Sequence, residues 1–91
     1  MGTTVQFKFV REQDGRVHCQ AQHGVPPQMV KEAFLNPIRE GPAKEERLYR
    51  IGRTQYNELL MIIFTWIELD KKALIITAYD WYQGMEVPKW P

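Results

Sequence analysis

Three consecutive β-rich runs, joined by connections too short for anything but a hairpin, constrain this chain more than any other feature. The runs cover residues 46–54, 59–69 and 72–79, and they are separated by Gln55-Tyr56-Asn57-Glu58 and by Asp70-Lys71. Connections of two to five residues join antiparallel neighbours, whereas a parallel pair needs a crossover of roughly a dozen residues. An antiparallel meander is therefore expected. LLMIIFTWI in the middle run is apolar at odd and even positions alike, the pattern of a strand covered on both faces or central in a small sheet. In the third run Ala73, Ile75 and Thr77 share one face while Leu74, Ile76 and Ala78 share the other, which places it close to the core as well.

The segment before the meander is punctuated for a helix. Pro26-Pro27 precedes QMVKEAFL, and proline at a helix start removes only an N–H that would lack a partner anyway. Met29, Val30, Ala33 and Phe34 fall on one stripe, and Asn36-Pro37 stops the helix because the residue before proline is pushed out of the helical region. Residues 39–46, with Gly41-Pro42 among them, read as a polar loop. The first 24 residues support two readings. Val5, Phe7 and Phe9 alternate as a strand, Asp14-Gly15 matches a hairpin turn, and Val17, Cys19 and Ala21 alternate again. Equally, Asp14 can N-cap a short helix running to about Gln22, with Val17 and Ala21 one turn apart and Gly24 as its left-handed stop. Local rules leave both open.

A chain of 91 residues can build one modest core, expected over residues 1–80, with the aromatic, proline-punctuated stretch 81–91 as an irregular tail. Twelve Lys and Arg against eleven Asp and Glu leave a net charge of +1, so contact with nucleic acid has to rest on a local patch. The longest apolar run, residues 59–67, is far short of the roughly 20 residues of a membrane span. There is no basic segment followed by an apolar one at the N-terminus, and Cys19 is the single cysteine, which makes the cytoplasm the expected compartment.

Chemistry-bearing motifs are few: there is no phosphate-cradling glycine loop, no nucleophile elbow and no paired cysteines. On a helix Cys19 and His23 share a face, but His18 does not join them and no third ligand is near in sequence. Neither a metal nor a cofactor is expected, and the plain reading is two surface histidines beside a small buried cysteine. The basic residues say more. Lys44, Arg47, Arg50 and Arg53 lie within ten residues around Tyr49, and guanidinium groups beside an aromatic ring suit RNA, with Lys44, Tyr49 and Arg50 as RNA-contacting candidates. Alternation puts Arg47 and Arg53 with Tyr49 and Ile51 on one face and Arg50 with Leu48 on the other, unless a bulge at Gly52 turns Arg53 over. The competing reading is a solvated edge strand kept from aggregating by its charges.

The segments QHGVPPQMVKEAFLNP, EERLYRIGRT, LLMIIFTW and ALIITAYD resemble the BrnT ribonuclease toxins of bacterial type II toxin–antitoxin pairs, over roughly residues 5–80. The most specific pieces are His23-Gly24-Val25, Asn36-Pro37, and Glu46-Arg47 leading to Ile51-Gly52-Arg53-Thr54. The resemblance implies an α+β, RelE-like fold in which an N-terminal strand and two short helices pack on a three-stranded antiparallel meander, and it implies a helix before His23. It further implies a metal-independent endoribonuclease neutralised by an antitoxin, with His23, Glu46, Arg47 and Arg53 at the family's recurring polar positions as catalytic candidates. Such enzymes cut by 2′-hydroxyl attack, which calls for a proton acceptor, a proton donor and cations. Two departures stand out. Thr77-Ala78-Tyr79 occupies the place of a Ser-Ala-Arg type ending, and WYQGMEVPKWP stands where the family has a basic helix. A different class of function, a non-catalytic interaction module, would self-associate or bind a partner through the sheet edge and the tail, where Trp81, Tyr82 and Trp90 are expected to make a hydrophobic contact.

Overall fold

The computed structural model describes residues 4–82 and 84–85. In chain order its elements are β1 (Gln6–Phe9), α1 (His18–His23), α2 (Pro27–Phe34), β2 (Pro37–Pro42), β3 (Leu48–Arg53), β4 (Leu59–Glu68) and β5 (Lys72–Asp80). This is an α+β arrangement of two short helices and one mixed five-stranded sheet with the order β1-β5-β4-β3-β2. From β1 at one edge the chain crosses a face of the sheet as α1 and α2, enters the far edge as β2, and returns strand by strand to β5. There β5 pairs in parallel with β1, Gln6 standing opposite Lys72.

The expected meander is present between β3, β4 and β5, and β4 is the central strand, as its two-sided apolar pattern requires. Its turns are built on left-handed residues of the type that tolerate them, Asn57 with φ 64° before β4 and Asp70 with φ 61° before β5. Residues 39–46, expected as a loop, instead supply most of a fourth meander strand, β2, which corrects the three-stranded expectation. β2 carries proline at both ends and is largely exposed, the composition of an edge strand that has one side to pair and the other to keep from aggregating.

Both readings of the N-terminal segment hold in part. Arg11 and Val17 form a lone antiparallel bridge around a turn at Asp14-Gly15, with Glu12 N–H donating to Arg16 C=O at 2.7 Å. A helix then starts at His18, not near Asp14, and Gly24 at φ 70° stops it. Asp14 caps the turn rather than the helix: its carboxylate accepts from Arg16 N–H at 3.1 Å and from Arg16 Nε at 2.6 Å. The short side-chain turn wins at Asp14-Gly15, and burial of Cys19 under the sheet favours helix after it.

Both helices lie on one face. Cys19, Val30, Ala33 and Phe34 bury against Leu60, Ile62 and Phe64 of β4 and Ala73, Ile75 and Ala78 of β5. Phe34 is the hub, meeting Phe7, Phe64 and Trp66 edge to face at 5.1, 4.8 and 5.7 Å. The opposite face carries a second cluster of Ala43, Tyr49, Ile51 and Met61, with Leu59, Ile63, Tyr79 and Trp81 packed around it. Trp81 therefore packs on the chain's own sheet, and its N–H extends the ladder to Leu59 C=O at 3.0 Å. Trp90 lies outside the described residues.

Two β3 residues seat α2. A Cβ built on Gly52 would stand 1.7 Å from the carbonyl oxygen of Ala33, so only glycine lets the helix end approach β3 this closely. Two residues earlier the Arg50 guanidinium lies 4.1 Å above the Phe34 ring and donates to Phe34 C=O at 3.0 Å, a cation at the helix C-terminus where the dipole favours one. Glu40 of β2 completes its shell, accepting from Arg50 Nε at 2.9 Å and lying 2.8 Å from Nη2. Urea denaturation tests both. Gly52→Ala is expected to cost about 3 kcal/mol or more, because the atom it meets is backbone. Arg50→Lys is expected to cost about 1–2 kcal/mol, since an ammonium cannot stack and fork together.

Candidate functional site

The tight turn between β2 and β3 presents most of the basic residues singled out in the sequence. Ala43 N–H donates to Arg47 C=O at 2.8 Å and Arg47 N–H to Lys44 C=O at 3.2 Å. Between them Glu45 and Glu46 both take positive φ, 60° and 61°, a conformation that costs a residue with a Cβ roughly 1–2 kcal/mol. Backbone strain of this kind concentrates where geometry serves something other than stability.

Beside this turn runs a shallow cleft of about 270 Å³ lined by Ala43, Lys44, Glu45, Arg47, Ile63 and Tyr79. Arg47 Nη1 lies 3.3 Å from Glu45 Oε2. Its lining joins apolar Ala43 and Ile63 to two cations, Lys44 and Arg47, and to the Glu45 carboxylate paired with Arg47. Tyr79, near the end of β5, joins the cleft to α1: its ring centre is 5.7 Å from that of His23, the last residue of the helix. Burial holds the Tyr79 phenol above its ordinary value, so the hydroxyl keeps its proton and remains a donor across the neutral range. Tyr79 thus borders His23 on one side and the cleft lined by Lys44 and Arg47 on the other.

The other sequence candidates lie apart. The β3–β4 register runs without a break from Leu48 to Arg53, so no bulge at Gly52 turns Arg53 over. Arg53 shares the face of Tyr49 and Ile51 but stands six residues from Arg47, roughly 20 Å along an extended chain, and its Nη1 donates to Asn57 Oδ1 at 2.6 Å. Arg50 points to the helix-covered face with 16% of its side chain exposed. Tyr49 is buried, its ring over Gly41, where an added Cβ would meet it at 2.9 Å. Glu46 is exposed on the strained turn and does not line the cleft. Tyr79 is not among the residues singled out in the sequence, where it figures only as the place at which the resemblance would expect an arginine.

A second histidine adjoins. The His18 and His23 rings meet edge to face at 6.2 Å, and His18 Nδ1 lies 3.5 Å from Glu12 Oε2. Gln22 Nε2 also donates to Glu12, and this hydrogen bond, ahead of the one from His18, holds the Glu12 carboxyl below its usual value. Cys19 faces the core, where burial pushes its thiol up. Among the described residues no three His, Cys, Asp or Glu side chains are placed to hold a metal, and no helix is long and apolar enough to cross a membrane.

Compared with described protein families, with curated proteins and with solved structures, the chain matches none.

Two outcomes are expected. Glu45→Gly and Glu46→Gly should each raise stability by about 1 kcal/mol, read as a higher urea midpoint, because glycine carries no left-handed penalty. A depressed carboxyl stabilises above its unfolded value, and that contribution is lost as pH falls through the folded one, so acidification below about pH 4 should lower hydrogen-exchange protection of residues 18–23 before that of β4.

Proposed function

We propose that this chain is a BrnT-like toxin of RelE-like architecture, and that it binds and cuts single-stranded RNA without a metal at the cleft between α1 and the β2–β3 turn. One observation carries the reading: Tyr79 stands against His23 on one side and shares a cleft with Lys44 and Arg47 on the other. An imidazole, a protonated phenol and two cations match the needs of 2′-hydroxyl attack on the neighbouring phosphorus. His23 accepts the 2′ proton, Lys44 and Arg47 hold the phosphate as charge develops, and the Tyr79 ring offers a stacking face while its hydroxyl donates to a phosphate oxygen. The new bond joins the 2′ oxygen to phosphorus and the 5′ oxygen leaves, taking a proton from solvent to which the His23 imidazolium returns the one it accepted, giving a 2′,3′-cyclic phosphate and a 5′ hydroxyl. The strand–helix–helix–meander order supports the same reading, with β2 as a strand beyond the expected three.

Tyr79 in place of arginine leaves the cleft one cation poorer. Cleavage is therefore expected to be slow and strongly salt-dependent. An antitoxin-like protein fits this reading as a partner. A non-catalytic binding module is the second reading, favoured by Leu35, Ile38 and Tyr56, which are 60%, 51% and 68% exposed around the α2–β2 and β3–β4 connections.

The test is cleavage of single-stranded RNA in EDTA. His23→Ala should slow it by about 10²–10⁴-fold, the usual worth of one proton-transfer group. Lys44→Ala and Arg47→Ala should each flatten the log–log salt dependence of binding by about 0.7, whereas Arg53→Ala should leave cleavage intact. RNA binding with no cyclic-phosphate product would favour the binding module, and no salt-dependent binding at all would remove the RNA reading.

A further inference from the structure

α1 is six residues long, well below the roughly 12–15 at which an isolated helix becomes even marginally stable, and no side chain caps its N-terminus at Val17. Something else must hold it. Its two faces divide the work by helical spacing. Cys19 and His23, one turn apart, face the sheet, Cys19 buried in the core and His23 against Tyr79. His18 and Gln22, also one turn apart, face the turn that precedes the helix, and both reach the same carboxylate, that of Glu12.

Glu12 is itself held from behind. His18 N–H donates to Val10 C=O at 2.9 Å, Glu12 N–H donates to Arg16 C=O at 2.7 Å, and Arg11 Nη1 closes the loop on Gly15 C=O at 2.7 Å. This small hairpin hangs from β1, whose next residue, Val10, donates to Ile75 C=O of β5 at 3.0 Å. Backbone hydrogen bonds thus tie the Glu12 hairpin to the sheet, and its carboxylate reaches α1 at two points, by a hydrogen bond from Gln22 and by a 3.5 Å contact with His18 Nδ1.

We propose that Glu12 is a positioning residue: by gripping His18 and Gln22 together it fixes α1 on β5 and so holds the His23 imidazole against Tyr79 at the cleft. Its functional meaning rests on His23 acting there, but the grip can be measured without any activity. The carboxylate works as a two-pronged acceptor, because a single short helix with one anchor could still rotate about it. Removing the carboxylate leaves Cys19, the buried flanking residues Val17 and Val25, and the His18 N–H bond to Val10 C=O to hold the helix, and exposed His23, in its last turn, has the most movement to gain.

The experiment is NMR on the full chain, reading the His23–Tyr79 ring NOE together with amide exchange in α1 and in β4. In Glu12→Ala the NOE should weaken and α1 protection should fall by about tenfold while β4 protection stays unchanged. Glu12→Gln, which can still accept from Gln22, should keep most of both. Gln22→Ala removes the same contact from the helix side without lowering helix propensity, so it covers the case in which Glu12→Ala disturbs the hairpin and unfolds the chain; it should also weaken the NOE. An unchanged NOE in Glu12→Ala or Gln22→Ala, or a Glu12→Gln variant as loose as Glu12→Ala, overturns the proposal. If wild-type protein cuts no RNA but the NOE responds as expected, the grip stands and the ribonuclease reading falls. If it does cut, Glu12→Ala should lower kcat more than it raises KM and Glu12→Gln should restore it.

Discussion

The seating of α2 on β3 is the contact on which the rest of the structure depends. A helix carbonyl can come this close to a strand only at a residue without a Cβ, and Gly52 provides that place directly under Ala33. Arg50, on the same face, then ties the Phe34 carbonyl and ring to Glu40 on the next strand. One guanidinium thus joins α2, β3 and β2, and the Phe34 ring that it covers is the hub of the aromatic core. Charge is used here for construction. The same reason keeps Arg50 away from any ligand on the other face.

That division of faces organises the candidate site. With α1 and α2 committed to one side, the candidate groups lie along the end of β5, where Tyr79 meets His23 of α1 and also lines the cleft beside the β2–β3 turn. The elements that supply them differ in stiffness. Tyr79 stands on a sheet strand, Lys44 and Arg47 flank a turn strained at two consecutive glutamates, and His23 ends a helix of six residues. A rigid aromatic is flanked by two groups whose placement has to be enforced locally.

Much of this was legible in the sequence, and the rest was hidden for identifiable reasons. β4 and β5 announced themselves by apolar periodicity, and α2 by Pro26-Pro27 and Asn36-Pro37, because those signals are local and strong. Alternation alone separated Arg50 from Arg53, and the unbroken register agrees with it. β2 was invisible, since PIREGP has no β-forming pattern and becomes a strand only because β3 offers it an unpaired edge. The N-terminal segment divides between hairpin and helix at Val17, a balance that no local rule weighs. For the site, Lys44 and Arg47 could be named as basic residues, but the residue that borders both their cleft and His23 is Tyr79, about 30 residues further on, and sequence spacing does not carry such a contact.

The parallel pairing of β1 with β5 also bears on how the chain assembles. Gln6 and Lys72 are 66 positions apart (72 − 6), whereas every other pair in the sheet is joined by a local turn or hairpin. Long closures are entropically late and local hairpins early, so β2 to β5 can form a sheet while the N-terminus is still unattached. During synthesis β1 is made before its partner β5 and has to wait for it. Until β5 emerges, Phe7 and Phe9 have no sheet edge to join and α1 has no strand to settle on, so the contact of His23 with Tyr79 is completed only after β5 has been made.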